Sequence, residues 1–151
     1  MQFRIADTAD IPQMMLVRLS VTDNRLSDPS LVTEEDYVNY IQNRGRGWVC
    51  ELEGKILGFA IVDLLDKKVW ALFVDPASEK KGIGRQLQIL MLDWYFKNTD
   101  EDIWLSTEKG SRAESFYSSS GWEPAGLTKS GELKFIMRKS FYARDRQLKS
   151  L

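Results

Sequence analysis

The stretch Glu79-Lys80-Lys81-Gly82-Ile83-Gly84-Arg85 constrains this chain more than any other. Before it, Val69-Trp70-Ala71-Leu72-Phe73-Val74 is a short apolar run closed by Asp75-Pro76, the pattern of a buried strand. After it, Ile83, Leu87, Leu90, Met91 and Trp94 recur at helical spacing and predict one apolar face. The two glycines therefore fall at a helix N-terminus, where unpaired backbone N–H groups and the helix dipole favour an anion. Glycine there removes the Cβ that would hold a phosphate away from those amides. Lys80, Lys81 and Arg85 crowd the same end, where a cation ordinarily costs ~0.3–1 kcal/mol. That placement makes sense when a polyanion neutralises the cations. A solvated basic turn is the plainer alternative, and it has to treat strand, loop, glycines and helix as coincidence. The spacing excludes a P-loop, which needs Gly-x-x-x-x-Gly-Lys-Ser/Thr. It also excludes a dinucleotide fingerprint, because residue 87 is Leu and the unit lies in mid-chain.

Composition narrows the surroundings. The chain has 151 residues, 43% of them hydrophobic, which suits one domain spanning 1–151. A chain of that length buries ~68–70% of its unfolded surface. A net charge of −1 argues against general nucleic-acid binding and makes the basic loop a local feature. The single cysteine, Cys50, permits no intrachain disulfide, so a reducing compartment and a cytoplasmic location are the expectation. No leader and no membrane span are expected, since no apolar run approaches ~20 residues. Without histidine the commonest general base and zinc ligand are missing, and no metal site is expected.

In chain order, residues 2–6 read as a strand, and Asp7-Thr8-Ala9-Asp10 caps a helix running through Met14, Met15, Leu16 and Leu19 to Val21. Residues 22–30 are polar and turn-rich. Thr33-Glu34-Glu35-Asp36 opens a second helix with a capping-box pattern, its stripe formed by Tyr37, Tyr40 and Ile41. Residues 48–52 and 55–62 form a hairpin about Glu53-Gly54, with Gly58 marking a bulge or a close backbone approach. Cys50 lies inside that first strand as a packed thiol. Residues 103–107 are the next strand, and Ser111 caps a short helix ended by Ser120-Gly121. Residues 122–128 and 132–139 are the last strands, Pro124 placing the first of them at an edge or bulge. Residues 141–151 are basic and receive no assignment.

The loop resembles the acetyl-CoA loop of the GNAT superfamily of N-acetyltransferases, Arg/Gln-x-x-Gly-x-Gly/Ala, with Gly82 and Gly84 at its glycines. Glu79 stands where Arg or Gln is usual, and Lys80 and Lys81 are positioned to replace that charge. A second stretch, Ala113-x-x-Phe116-Tyr117 followed by Gly121-Trp122, resembles the family's Asn-x-x-Ala-x-x-Leu/Phe-Tyr-x-x-x-Gly-Phe signature. Gly110 replaces its asparagine, so that contact is either missing or supplied by Ser111 or Arg112. The element order matches the family over residues 2–139. The fold expected is therefore α/β, a mixed, mostly antiparallel sheet flanked by helices.

The resemblance implies an acetyl-CoA-dependent N-acetyltransferase acting on a primary amine of a small molecule or protein by direct attack. It assigns pantetheine to the backbone of Leu72, Phe73 and Val74 and the pyrophosphate to the loop from Lys80 through Lys81, Gly82, Ile83 and Gly84 to Arg85. Ser111 is a further candidate cofactor contact. Tyr117 falls where the family places the general acid for the CoA thiolate, and a phenol and that thiol have similar affinity for a proton. The strand at 69–74 carries no acid, so Asp63, Glu108 and Glu51 stay open as bases acting through water. Acids at Asp23, Asp28, Glu34 and Glu35 either attract a cationic amine or simply cap and solvate helices. Two readings remain beside the enzyme: a catalytically poor acyl-CoA-binding module, and a structural or regulatory interaction domain. A homodimer also stays open.

Overall fold

The computed structural model of the protein describes residues 1–21 and 31–149. The expected turn at 22–30, with Asp23 and Asp28, lies outside the described residues, as do the last two residues of the basic tail. Strand β1 (Gln2–Ile5) leads through a 3₁₀ turn into α1 (Ile11–Ser20). Asp7 starts that turn: its carboxylate accepts from Ala9 N, while Asp10 accepts from Asp7 N. The predicted capping box opens α2 (Glu34–Asn39), where Asp36 N donates to Thr33 Oγ1 at 3.2 Å and Thr33 N donates to the Asp36 carboxylate at 2.8 Å. A π-turn over Tyr40–Arg44 then delivers the chain to β2 (Gly45–Leu52).

The hairpin of β2 with β3 (Lys55–Asp63) turns on Glu53 and Gly54, both at positive φ. Gly58 meets both of its expectations. The β2–β3 register shifts beside it, and a Cβ there would come within 3.0 Å of Ile83 Cγ2 and 3.1 Å of the Phe73 carbonyl oxygen. Helix α3 (Ile83–Asn98) can therefore press close on the sheet. It follows β4 (Lys68–Val74), and β5 (Ile103–Thr107), α4 (Arg112–Ser119), β6 (Glu123–Leu127) and β7 (Leu133–Met137) come next. The strand order is β1-β2-β3-β4-β5-β7-β6, antiparallel throughout except between β4 and β5. Pro124 lies on the outermost strand, where its missing N–H costs no ladder bond.

Two apolar clusters cover the two faces of the sheet. Helix α1 and Tyr37 of α2 pack over Val49, Phe59, Ile61 and Ala71, whereas α3, Tyr117 and Trp122 pack over Cys50, Ala60, Val62 and Leu105. The deepest line of α3 is Ile83, Leu87, Met91 and Tyr95, with Leu90 and Trp94 only half-buried, so the buried face is turned from the predicted stripe. The tail beyond β7 supplies the reason. It forms α5 (Lys139–Lys149), whose Tyr142 packs on Phe96 with ring centroids 5.4 Å apart and donates its hydroxyl to Asp93 at 2.5 Å. Gln88, on the same helix, is buried because it accepts from Trp122 Nε1 at 3.1 Å.

One irregularity in β4 matters for the site. Ile61 faces Ala71 and Val62 faces Val69, leaving Trp70 as an extra residue. Trp70 and Ala71 therefore belong to the same cluster rather than alternating. Strands β4 and β5 share a single pair, Lys68 with Trp104, and then separate. From there on the β5-facing edge of β4 has no strand partner among the described residues.

Candidate active site

Where β4 and β5 part, a cleft opens on each side of the same residues. The smaller, about 470 Å³, runs between the Ser78–Arg85 loop and α4. The larger, about 710 Å³, lies over β4 and β5 on the face carrying α1 and α2. Leu72, Phe73, Ala113 and Tyr117 line both, so the two clefts meet on these four residues.

The smaller cleft gathers most of the predicted cofactor set. Leu72, Phe73 and Val74 form its strand wall, and Lys80, Gly82, Ile83, Gly84 and Arg85 form its loop wall. Gly82 is the N-cap of α3 at φ 79, a left-handed conformation that a side chain would strain, and Lys80 also has positive φ. Together they turn the chain so that the first amides of α3 open onto the cleft. The Ile83 side chain itself is buried against Gly58. A Cβ on Gly84 would lie 3.6 Å from Phe116 and 3.7 Å from Val74, so glycine there keeps the cleft open rather than relieving a clash.

Two predicted residues stand apart from it. Lys81 is exposed on the loop and lines neither cleft. Ser111 is buried and its hydroxyl is committed: it accepts from Glu114 N as the α4 cap and donates to the Glu108 carbonyl at 2.7 Å. The next residue, Arg112, lines the cleft instead and forms an ion pair with Glu79 from the opposite wall. The carboxylate standing where the family has Arg or Gln is thus neutralised from across the groove.

Tyr117 sits at the junction, 6% exposed, its ring held edge-on by Trp122 at 5.6 Å and tilted against Phe135 at 6.3 Å. Its hydroxyl makes no hydrogen bond among the described residues, yet no fully covered side-chain oxygen among them is unsatisfied. The phenol oxygen therefore opens onto the clefts. Burial pushes its pKa well above the ordinary tyrosine value, so it holds its proton.

The larger cleft is walled by Tyr37, Trp70 and Phe73, with the Arg18 guanidinium 4.2 Å over the Phe73 ring. Loss of hydration at that half-buried position lowers the Arg18 pKa. Of the three candidate bases only Glu108 lines this cleft. Asp63 is fully buried away from it, accepting from Arg44 at 2.8 Å and from the Leu65 and Asp66 amides, and Glu51 is paired with Arg4. Glu132, which the sequence did not single out, lines the cleft with Ser106 as its hydroxyl donor at 3.4 Å. Glu34 and Glu35 serve the first turn of α2.

A strand edge without a partner, an amide-lined helix start beside it and a phenol where two clefts meet define a protein built to hold one extended anionic ligand against a second molecule. The chain belongs to the GNAT acetyltransferase family, whose model matches residues 14–122. That family uses acetyl-CoA as acyl donor. None of the curated proteins matches the sequence. Among solved structures, the ribosomal-protein-S18-alanine N-acetyltransferase from Escherichia coli is similar at 23% identity and a TM-score of 0.69, covering 90% of each chain. The ribosomal-protein-alanine N-acetyltransferase from Brucella melitensis gives 21% and 0.73, covering 91% of this chain and 99% of that one. The PaiA N-acetyltransferase from Thermoplasma acidophilum, in complex with coenzyme A, gives 16% and 0.75 with the same coverage. At these identities the likeness is one of fold.

Proposed function

We propose that the protein, acting as a single N-acetyltransferase domain, transfers the acetyl group of acetyl-CoA to a primary amine of a small molecule or protein by direct attack. The observation that carries this reading is the meeting of the two clefts on Tyr117. The strand edge at Leu72, Phe73 and Val74 suits the pantetheine amides, which would add to β4 as a further strand. The Gly82–Arg85 amides, with Lys80 and Arg85, suit the pyrophosphate, and Lys81 adds charge nearby. Arg112, not Ser111, supplies the contact expected at the start of α4. This binding brings the thioester to the junction, where an amine entering from the larger cleft attacks the acyl carbon once it is neutral, its protons passing to a carboxylate or water of that cleft as the carbon–sulfur bond breaks.

Tyr117 then delivers its proton to the departing thiolate. Burial keeps the phenol protonated at rest and makes it a weaker acid than a free phenol, so the transfer needs the thiolate to leave into the same poorly solvated junction, which raises its own proton affinity to match. Because the hydroxyl has no acceptor among the described residues, the transfer breaks no hydrogen bond there. Glu79 favours a second reading, a poorly active acyl-CoA-binding module, since its ion pair with Arg112 engages a cation that the phosphates would otherwise draw on.

Release of free thiol from acetyl-CoA against a panel of polyamines, aminoglycosides, amino acids and lysine peptides tests the enzyme. Thermal shift tests the cleft alone: CoA and acetyl-CoA should raise the midpoint by mass action, and NAD and ATP should do much less. Equal shifts from all four would reduce the loop to a general anion site.

A further inference from the structure

The larger cleft is lined by charges of both signs, Glu108 and Glu132 on one hand and Lys68 and Arg18 on the other, with Trp104 and Lys134 just beyond its lining beside Lys68. Beside Tyr117, Glu108 and Glu132 line it, with Ser106 bonded to Glu132. Ile103 and Leu105 face the core, so Trp104 and Ser106 present the opposite face of β5. On that face the Lys68 and Lys134 ammonium groups lie over the Trp104 ring, 5.2 and 5.0 Å from its centre. The Trp104 indole is itself fixed, Nε1 donating to the Asp66 carbonyl at 3.1 Å. Among the described residues neither lysine forms an ion pair, and nor does Glu132.

That separation is not forced by distance. Lys134 stands directly opposite Ser106, the hydroxyl donor to Glu132, and only two residues from Glu132, which lies just before β7. Its ammonium lies over Trp104 instead. Ser106, which holds the acidic group, and Trp104, which holds the basic one, are two strand residues apart, about 7 Å along the backbone, and that spacing sets the scale of the separation.

Resting on the acetyl-transfer reading above, we propose that the acceptor is a primary amine bearing an anionic group about 7 Å from its nitrogen. The ammonium seats on Glu132 and the anion on Lys68 and Lys134 beside Trp104. An α-amino acid is too short to touch both ends. An ω-amino acid, or a peptide N-terminus followed by an acidic side chain, is long enough. The polarity also orients the molecule, because the reversed pose would set ammonium against the lysines and anion against the carboxylates.

Two charge series test this on the whole protein: 5-aminopentanoate, pentylamine and 1,5-diaminopentane, and amidated dipeptides with Ala first and Glu, Gln or Lys second. Each acceptor is read both as kcat/KM from thiol release and as Kd by calorimetry. The anionic member should exceed the cationic one by about tenfold, the size of one charge pair worth ~1.4 kcal/mol. The Lys68→Glu, Lys134→Glu double variant should reverse the order, and Glu132→Gln should weaken every amine while leaving CoA binding intact. A preference confined to the dipeptides identifies a peptide N-terminus, and one confined to the free amines a small molecule; either carries the proposal. Equal binding within both series, or an order unmoved by the charge reversal, overturns it. Absence of CoA binding would instead sink the acetyl-transfer reading, and acceptor calorimetry would still decide this one.

Discussion

Replacing Tyr117 by Phe separates an acid from a packed ring. The substitution keeps the contacts with Trp122 and Phe135 and removes one oxygen that bonds to nothing among the described residues. No internal hydrogen bond is lost, so stability should change by less than ~0.5 kcal/mol. A general acid contributes ~10²–10⁴-fold, which is ~3–5 kcal/mol of barrier, and kcat should fall by that amount. Acetyl-CoA affinity should hold, because the phenol acts as charge develops on sulfur and not in the ground state. The pH profile adds a second readout. Burial raises the Tyr117 pKa above the ordinary ~10, so the proton is retained as pH climbs through that value. The wild-type rate should therefore show no alkaline loss assignable to this residue up to about pH 10. Steady-state kinetics beside CoA calorimetry and a thermal melt make the measurement. Equal kcat in wild type and variant would remove Tyr117 from the chemistry and favour the binding module.

Gly84→Asp should abolish CoA binding by calorimetry while costing only about 1 kcal/mol in urea unfolding, because its Cβ meets Phe116 and Val74 at ordinary contact distances. Tyr142→Phe should lower stability by ~1–2 kcal/mol, since the hydroxyl donates to Asp93 and the Ile89 carbonyl where α5 crosses α3, and CoA affinity should be unchanged. Asp10 is held below the ordinary carboxylate pKa, first by its hydrogen bonds from Arg4, so its stabilising effect is complete above ~3.9 and lost as pH falls through the folded value. Arg4→Met should accordingly flatten the fall in urea midpoint between about pH 6 and 2.

Local signals survived folding, and signals that depend on distant chain did not. The Thr33 capping box, the Ser111 cap, the Glu53-Gly54 turn and the edge position of Pro124 each follow from neighbouring residues, and each stands where the sequence predicts it. Helix α5 was illegible because its charges mask a one-sided pattern, and its chief anchor, Tyr142 on Asp93, joins residues far apart in the chain. The turn of the buried α3 face toward Tyr95 and Phe96 has the same origin, since Tyr142 covers it.

The candidate site divides along the same line. Its loop half was readable because glycine spacing, strand and helix start are contiguous, and Gly82 at φ 79 is a backbone need that only a local argument expresses. Ser111 shows where such an argument stops short: a serine at an N-cap is engaged by the helix, and it is the next residue, Arg112, that lines the cleft. That step was available from sequence, because the same residue was already assigned as the cap. Glu132 was not available. Its meaning comes from Ser106 and from the Lys68–Trp104–Lys134 cluster, which β-pairing alone brings beside it. The loop wall of the smaller cleft is thus written in one continuous stretch. The larger cleft is assembled from residues of β4, β5 and their neighbours, far apart in the chain, where no short motif can record it.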